Sequence, residues 1–290
     1  MRFIKAAIVS SACLLVGAAM SVAPSGAATT PPLSFSVAEL LAIGNVDAPP
    51  AGTGLEIHAD WPAEAPLNHG GIDIYSLTAD ITPEGEARVL NVVTAADALG
   101  RGPVGECEDP AYTPDGKSWA AEDLPVEWRF RRGSTPKGVS RWLTTVSLRE
   151  AHRTWPQAHS RCKNAQPNSF RFDYTGRTTR SAKYDHKNVV EFARLGSGAL
   201  ATNYTWYTNN RILEVDFRFE RKFGWSNNPK HVRRYQIPNV AAHELGHQVG
   251  LDDLSDPHGQ LTMFGRIGRG ETGNLTLGWG DIRGARDVSP

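Results

Sequence analysis

The segment from Ala242 to Asp253 limits what this chain can fold into more than any other stretch. His243 and His247 are four residues apart, so a helix would carry both imidazoles on one face and within reach of a single ion. Gly250 suits a turn with positive φ that ends the helix and lets the chain bring Asp253 back to the histidines. The segment therefore predicts a helix, a sharp turn and a metal site formed by His243, His247 and Asp253.

Glu244 follows the first of these histidines and completes the HExxH pattern of zinc hydrolases. A purely structural zinc site has no use for this carboxylate, whereas hydrolysis needs a group that takes a proton from the attacking water and passes it to the leaving amine. Met263, ten residues beyond Asp253, fits the methionine turn that lies beneath such metals. A chance HExxH on a surface helix is the competing interpretation, and the register of Gly250, Asp253 and Met263 argues against it. His258 is the alternative third ligand, but the spacing from Gly250 favours Asp253.

With these motifs, the chain from about Cys107 to its end is similar to the metzincin zinc endopeptidases of the matrixin kind, the clan that includes matrix metalloproteinases. The segment Leu277–Gly284 is similar to the one that opens the last helix of matrixin catalytic domains. The sequence departs from matrixins at Asp253, which stands where they have a third histidine. The snapalysin family also has an aspartate in that register, so this departure is no sign of inactivity.

The resemblance implies an α/β (α+β) catalytic domain: a twisted mixed β-sheet with an antiparallel edge strand, a zinc-binding active-site helix, a Met-turn and a C-terminal helix. It also implies a secreted zinc metalloendopeptidase with one catalytic Zn2+, in which Glu244 is general base and acid and the substrate is a protein or peptide. A catalytically silent, zinc-stabilised binding module on the same scaffold is the alternative. Cleavage specificity is not readable, because the loop after Met263 has no predictable shape.

The N-terminal residues predict export. A basic start, Met1–Lys5, precedes an apolar run over residues 6–23 and small residues at 25–28, which together are typical of a secretory signal over residues 1–28. A membrane anchor is the alternative, but the run contains small and hydroxyl residues. Behind the signal we expect an acidic N-terminal segment over residues 29–105 and a catalytic domain over residues 106–290.

Export changes the meaning of the cysteines, because only Cys107 and Cys162 would stay in the mature chain. Two cysteines in an oxidising compartment usually pair, so a disulfide is expected. The alternative is that Cys107 is a thiolate latch on the zinc, as in the proenzymes of matrix metalloproteinases. The residues around Cys107 lack the Pro-Arg and Gly of that latch, which favours the disulfide.

The charge is divided between the two parts of the mature chain. Residues 29–110 carry thirteen acids and two Arg, 2 − 13 = −11, whereas residues 111–290 carry twenty-seven Lys and Arg and eighteen acids, 27 − 18 = +9. The basic residues are dispersed and no nucleic-acid motif accompanies them, so we expect no nucleic-acid partner, no stable membrane association and a monomer. The acidic segment is interpreted as a prosegment that inhibits the enzyme or assists its folding, with an Asp or Glu on the metal. A permanently attached accessory region is the alternative.

Alternating and periodic residues predict the remaining elements. In the acidic segment they predict one hairpin, over residues 72–93, and otherwise partial structure, with His58 and His69 solvated. In the catalytic part they predict strands over residues 124–130, 170–174 and 188–192, a helix from Ser134 or Thr135 with Trp142 and Trp155 in the core, and a hairpin over residues 199–219. Within that hairpin, Leu200–Tyr204 is the candidate edge strand that would pair with an extended substrate.

A second metal ion is a weaker expectation. Asp185, His186, Glu214 and Asp216 could bind calcium (Ca2+) or another zinc, and matrixins use comparable loops for such ions. The Gly-rich loop and the His-x-Asp spacing of the structural zinc site in matrixins are missing. Carboxylates at strand ends are more often solvated, which disfavours a second ion.

Overall fold

A computed structural model describes residues 33–98, 104–163 and 165–290. The residues from Leu33 to Pro290 belong to one compact unit. The expected signal over residues 1–28 lies outside the described part of the chain. Within that part, every helix is too short or too polar to cross a bilayer.

The described chain is a mixed α/β structure with a sheet at its centre. Its helices are α1 (Val37–Gly44), α2 (Arg141–Thr154), α3 (Ile237–Gln248) and α4 (Trp279–Asp287). Its strands are β1 (Gly54–Asp60), β2 (Leu67–His69), β3 (Ile72–Ile81), β4 (Ala87–Thr94), β5 (Val126–Phe130), β6 (Phe172–Arg177), β7 (Asn188–Ala193), β8 (Ala201–Thr208), β9 (Arg211–Glu220), β10 (Trp225–Ser226) and β11 (Tyr235–Gln236).

Nine strands form one sheet in the order β2-β3-β1-β8-β9-β7-β5-β6, with β4 paired to β3. The neighbours among β6, β5, β7 and β9 are parallel, and β8 is antiparallel to β9. Helix α2 connects the parallel strands β5 and β6, as such crossovers require. The strands expected near residues 124–130, 170–174, 188–192 and 199–219 are all present.

The prediction that Leu200–Tyr204 lies at an edge of the sheet is wrong. Strand β8 has β9 on one side and β1 on the other, and its pairing with β1 runs from Ala201 to Tyr207. The N-terminal part of the chain therefore covers the edge of β8 that the sequence predicts to be free. The physical reason is that an unpaired strand edge must satisfy its backbone groups, and here another segment of the chain does so.

Residues 33–98 are more ordered than the sequence predicts. The expected hairpin is confirmed as the antiparallel pair β3 and β4. In addition, β1 alternates between two faces: Leu55, Ile57 and Ala59 form a core with Leu40 and Ile43 of α1. The other face of β1 carries polar side chains towards α3.

Helix α2 begins later than its sequence predicts. Its first residue is Arg141, and the Ser140 hydroxyl accepts a hydrogen bond from the Leu143 amide at 3.3 Å. As a result Trp142, expected in the core, lies in the outer first turn and is 64% exposed. Trp155 is fully buried as expected.

Helix α3 packs between the sheet and the segment that carries Met263. A side chain at Gly246 would place its Cβ 2.0 Å from the Met263 sulfur and 2.7 Å from the Trp155 ring. Only a residue without Cβ lets these two side chains fit so closely between the turns that carry His243 and His247. Met263 therefore lies directly against the helix, where the sequence predicts the Met-turn.

Candidate metal site

Helix α3 holds both histidine rings in fixed orientations. His243 Nδ1 lies 2.7 Å from the Thr262 carbonyl oxygen, and His247 Nδ1 lies 2.8 Å from the Leu251 carbonyl oxygen. A carbonyl can only accept, so each Nδ1 donates its proton and each Nε2 is the ring atom left to face an ion. The ring centroids are 5.0 Å apart, which lets both Nε2 atoms serve one ion.

Asp253 reaches the same place through the turn at Gly250, whose φ is 95°. Its Oδ1 lies 3.2 Å from His243 Nε2 and 3.8 Å from His247 Nε2. The Asn91 side chain donates a hydrogen bond of 2.8 Å to the Asp253 carbonyl and fixes this part of the chain. The structure thus brings the three sequence-predicted ligands together.

A fourth candidate ligand comes from the N-terminal strand. Asp60, the last residue of β1, is buried, and its Oδ2 lies 3.5 Å from His243 Nε2. One ligand atom from each of Asp60, His243 and His247 lies within 4.8 Å of the others. The sequence singles out no acid of the segment 29–105. The signal that could have found Asp60 is the alternation of β1, whose polar positions are Glu56, His58 and Asp60.

The buried atoms around this point lack hydrogen-bond partners. They are both carboxylate oxygens of Asp60, Glu244 and Asp253 and the Nε2 atoms of His243 and His247. Polar atoms that are buried without partners are costly, and so many of them together indicate a site for a cation. Zinc ligands at about 2.0–2.1 Å in a tetrahedron are themselves about 3.3 Å apart, close to the separations of 3.2, 3.5 and 3.8 Å seen here. The separations therefore fit a metal ion held by several of these side chains.

The electrostatics of the site agree with a cation. Burial alone would lower the pKa of His243, but the carboxylates of Asp60 and Asp253 raise it well above its ordinary value. Burial, together with the charge of Asp60, raises the pKa of Glu244 well above the usual range. Burial and the nearby His58 lower the pKa of His247. These carboxylates concentrate negative charge where a cation would neutralise it.

His58, expected to be solvated, is instead fully buried. Its ring stacks on that of His247 with centroids 4.0 Å apart, and its Nε2 lies 2.7 Å from Glu56 Oε1. Burial opposes the charged imidazole, but Glu56 raises the pKa of His58 to about 9. The Lys117 ammonium also pairs with Glu56. Glu56, His58 and Asp115 could geometrically hold an ion, but these cations already supply the positive charge there.

A second set of contacts fixes the Met-turn. Asp281 of α4 accepts hydrogen bonds from the amides of Thr262 at 2.8 Å, Met263 at 3.2 Å and Gly278 at 2.8 Å. Burial raises the pKa of Asp281 to about 6, although these donors favour its charged form. Helix α4 thereby holds the Thr262 carbonyl in place to orient His243.

The other singled-out residues lie away from the ligand atoms. His258 Nδ1 bonds to Asp109 at 2.9 Å, so His258 is engaged elsewhere. Cys107 and Cys162 form a disulfide with Cα atoms 5.3 Å apart. None of these three residues contributes an atom to the candidate metal site.

The second cluster of acids binds backbone amides. Glu214 accepts from the Asp185 amide at 2.8 Å and from the His186 amide, and Asp216 accepts from the Lys183 and Val189 amides at 2.7 Å each. Burial raises the pKa of Glu214 to about 7. These carboxylates order the loop before β7, and the groups of potential ligands found among the described residues do not include them.

No protein-family model matches this chain, and no curated protein is similar enough to count as a relative. Function therefore has to be inferred from the site itself.

Proposed function

We propose that this chain is a secreted zinc-dependent metalloendopeptidase in a latent form, whose N-terminal strand closes the active site. One observation carries the proposal: the Glu244 carboxylate is buried, lacks a hydrogen-bond partner and stands beside three convergent ligands. Such a carboxylate is costly to bury and adds nothing to a structural site. Hydrolysis gives it a role.

A zinc ion held by His243, His247 and Asp253 would polarise the substrate carbonyl and lower the pKa of a nearby water. Glu244 would take the proton of the attacking water and deliver it to the leaving nitrogen. The Thr262 and Leu251 carbonyls keep the two imidazoles in the neutral tautomer that can bind a metal.

The fold supports a metzincin-like scaffold. Strands β6, β5, β7, β9 and β8 stand in that order with only β8 antiparallel, and α3 follows them in the chain. The turn at Gly250, the packing of Met263 against α3 and the final helix α4 agree with the sequence resemblance. This combination is independent of the HExxH spacing.

Latency is proposed from the path of the N-terminal strand. Strand β1 runs antiparallel to β8, and just beyond it the Ala63 amide donates to the Ile267 carbonyl at 2.9 Å. Pro62 and Ile267 form a parallel bridge there. An extended substrate held by β-augmentation would use the same backbone groups on both sides. The chain therefore occupies its own cleft, and His243 and Glu244 are completely shielded from solvent.

Asp60 completes the closure. Catalytic zinc sites have three protein ligands and an open position, whereas four protein ligands make a closed site. With Asp60 present the candidate ligands number four, and without it they number three. Activation is then removal or displacement of the acidic segment, whose boundary with the catalytic domain the sequence predicts near residue 105.

The test compares the intact chain with its processed product. Intact protein should contain about one zinc and cleave an unfolded protein substrate only after limited proteolysis releases the N-terminal segment, as verified by N-terminal sequencing. A chelator should abolish that activity. Glu244→Ala should retain the zinc and lose activity by about 10²–10⁴-fold. Full activity in this variant would exclude the mechanism.

The second candidate is a binding module stabilised by zinc. It is favoured by the burial of all four ligands, which is what a structural site requires. A processed protein that keeps its fold and zinc but cleaves no peptide would support this candidate instead.

A further inference from the structure

A basic cavity lies at the β5–β6 end of the sheet, and none of its lining residues belongs to the candidate metal site. It has a volume of about 710 Å³ and opens where β5 and β6 end and α2 begins. Its charged lining residues are Arg132, Arg141, Arg177 and Arg180, and no carboxylate lines it. Four guanidinium groups around one cavity indicate a site for an anion.

A second cavity of about 410 Å³ shares Arg132 and Arg177 with the first and adds Arg149 and Trp142. No acid lines this cavity either. The two cavities are neighbours, and together we call them the arginine groove. Arginines spread over two adjoining cavities suit a chain of anionic groups better than a single small ion.

The positive charge of the groove is mostly unpaired. Arg180 forms an ion pair with Asp185, whereas Arg132, Arg141 and Arg177 have no ion-pair partner among the described residues. In addition, Arg132 Nε is buried without a hydrogen-bond partner. Guanidinium groups pair well with sulfate, phosphate or carboxylate, so a bound polyanion would relieve both their mutual repulsion and the unmet donor.

An exposed indole adjoins these arginines. Trp142 is 64% exposed, and an exposed Trp beside cations offers a flat apolar face on which a sugar ring can pack. Tyr174 is less accessible, because the Arg149 guanidinium lies 5.8 Å from the centre of its ring. The groove thus pairs many cations with one free aromatic face.

We propose that the arginine groove binds a linear sulfated polysaccharide, with Arg132 and Arg177 contacting sulfate groups and Trp142 packing on a sugar ring. A site for single-stranded nucleic acid would be expected to have several exposed aromatic rings on which successive bases stack. A membrane surface would be better served by a protruding patch than by a concave one. The Cys107–Cys162 disulfide agrees with an oxidising compartment, where such polysaccharides occur. This site is independent of the proposed peptidase activity.

The test uses the full chain and measures binding to dextran sulfate and to unsulfated dextran of equal length, at about 0.15 M ionic strength. Dextran sulfate should bind and dextran should not. Arg132→Ser with Arg177→Ser should weaken binding at least about tenfold, because both residues line both cavities. The matched control, Arg233→Ser with Arg286→Ser, removes the same charge from exposed positions elsewhere and should change binding less than about twofold.

Trp142→Ala should weaken dextran sulfate binding without changing the net charge, which would support a contact with the sugar. Equal weakening by the groove pair and the control pair would reduce the effect to net charge and overturn the site. Binding of single-stranded DNA, or of vesicles with anionic lipid, as strong as that of dextran sulfate and equally dependent on Arg132 and Arg177 would overturn the polysaccharide assignment. The thermal unfolding midpoint of each variant verifies its fold.

Discussion

Helix α3 and strand β1 both reach the candidate metal site, but they do so in opposite ways. The helix presents His243 and His247 through spacing along one short segment. The strand presents Asp60 only because it pairs with β8, far away in the sequence. In the proposed enzyme, the local motif carries the chemistry and the long-range partner controls access to it.

The two regions also bury polar groups differently. The ligands on α3 are oriented by carbonyls of the same part of the chain, so they stay ordered if β1 leaves. The charges on the polar face of β1 are compensated by residues of the segment 106–290 instead. Glu56 pairs with Lys117, and His58 Nδ1 lies 3.7 Å from Asp252 Oδ1. Removal of β1 would return these partners to water. The closed form is thus stabilised by contacts that the catalytic chemistry does not need.

Asp253→Ala should produce the largest effect, because it removes a proposed ligand that stays in the site after processing. Losing a residue that only hydrogen-bonds to a metal ligand lowers metal affinity by about 10–100-fold. Losing the ligand itself should lower zinc affinity further, and the processed protein should be inactive. Zinc content after dialysis measures this. Unchanged content would move the third ligand elsewhere, with His258 the first residue to test.

Asp60→Ala removes the same chemical group from the other region, and its effect should be opposite. The uncut chain should retain zinc through three ligands and cleave peptide substrates about tenfold faster than the uncut parent, since loss of the Asp60 ligand weakens the closure and lets β1 leave the cleft more often. Asp47→Ala, an exposed acid of the same segment, is the control and should leave the activity unchanged. Loss of all zinc in Asp60→Ala, with retention in Asp253→Ala, would reverse the two roles.

Lys117→Met should destabilise the uncut protein, which contains β1, more than the processed protein, which lacks it. In the uncut protein the substitution removes the ammonium partner of the buried Glu56 carboxylate and leaves His58 as its cation, which costs about 1.5–3 kcal/mol of unfolding free energy. In the processed protein Glu56 is absent, so the cost should be much smaller. Urea unfolding of both forms measures the difference, and Glu56→Gln added to Lys117→Met should recover part of the loss. Equal destabilisation of both forms would contradict the role of this pair in closure.

The contrast between the local motif on α3 and the long-range pairing of β1 explains which features the sequence predicts. The spacing of His243, His247, Gly250 and Asp253 is local, so the helix and the turn that follows it bring these residues together. The strand pattern likewise predicts the hairpin of β3 and β4, because a short turn joins its strands. The pairing of β1 with β8 leaves no such local mark, and charged residues at 56, 58 and 60 suggest solvent exposure when they are considered alone.

The error at Trp142 has a different cause. Helical periodicity identified an apolar stripe, but it did not identify the residue at which the helix begins. The Ser140 cap starts α2 at Arg141, and the apolar residues that the helix buries are Leu148 and Ala151, with Trp155 directly after it. Tertiary packing thus buries other positions than the stripe that the periodicity identified, and it leaves Trp142 in the arginine groove.

Gly246→Ala should have the smallest effect and tests how rigid the α3 region is. The added Cβ would meet the Met263 sulfur at 2.0 Å, so the methionine must move although the helix itself favours Ala over Gly. Overpacking of this kind costs about 1–3 kcal/mol, and it should lower zinc affinity as well, since His243 and His247 lie on the adjoining turns. Gly133→Ala, where a Cβ meets nothing within 4 Å, is the control for the substitution itself. Thermal unfolding with and without a chelator measures both effects. If Gly246→Ala were as stable as its parent and bound zinc equally well, Met263 would be free to move, and the close packing beneath the metal would not be what holds the two histidines in register.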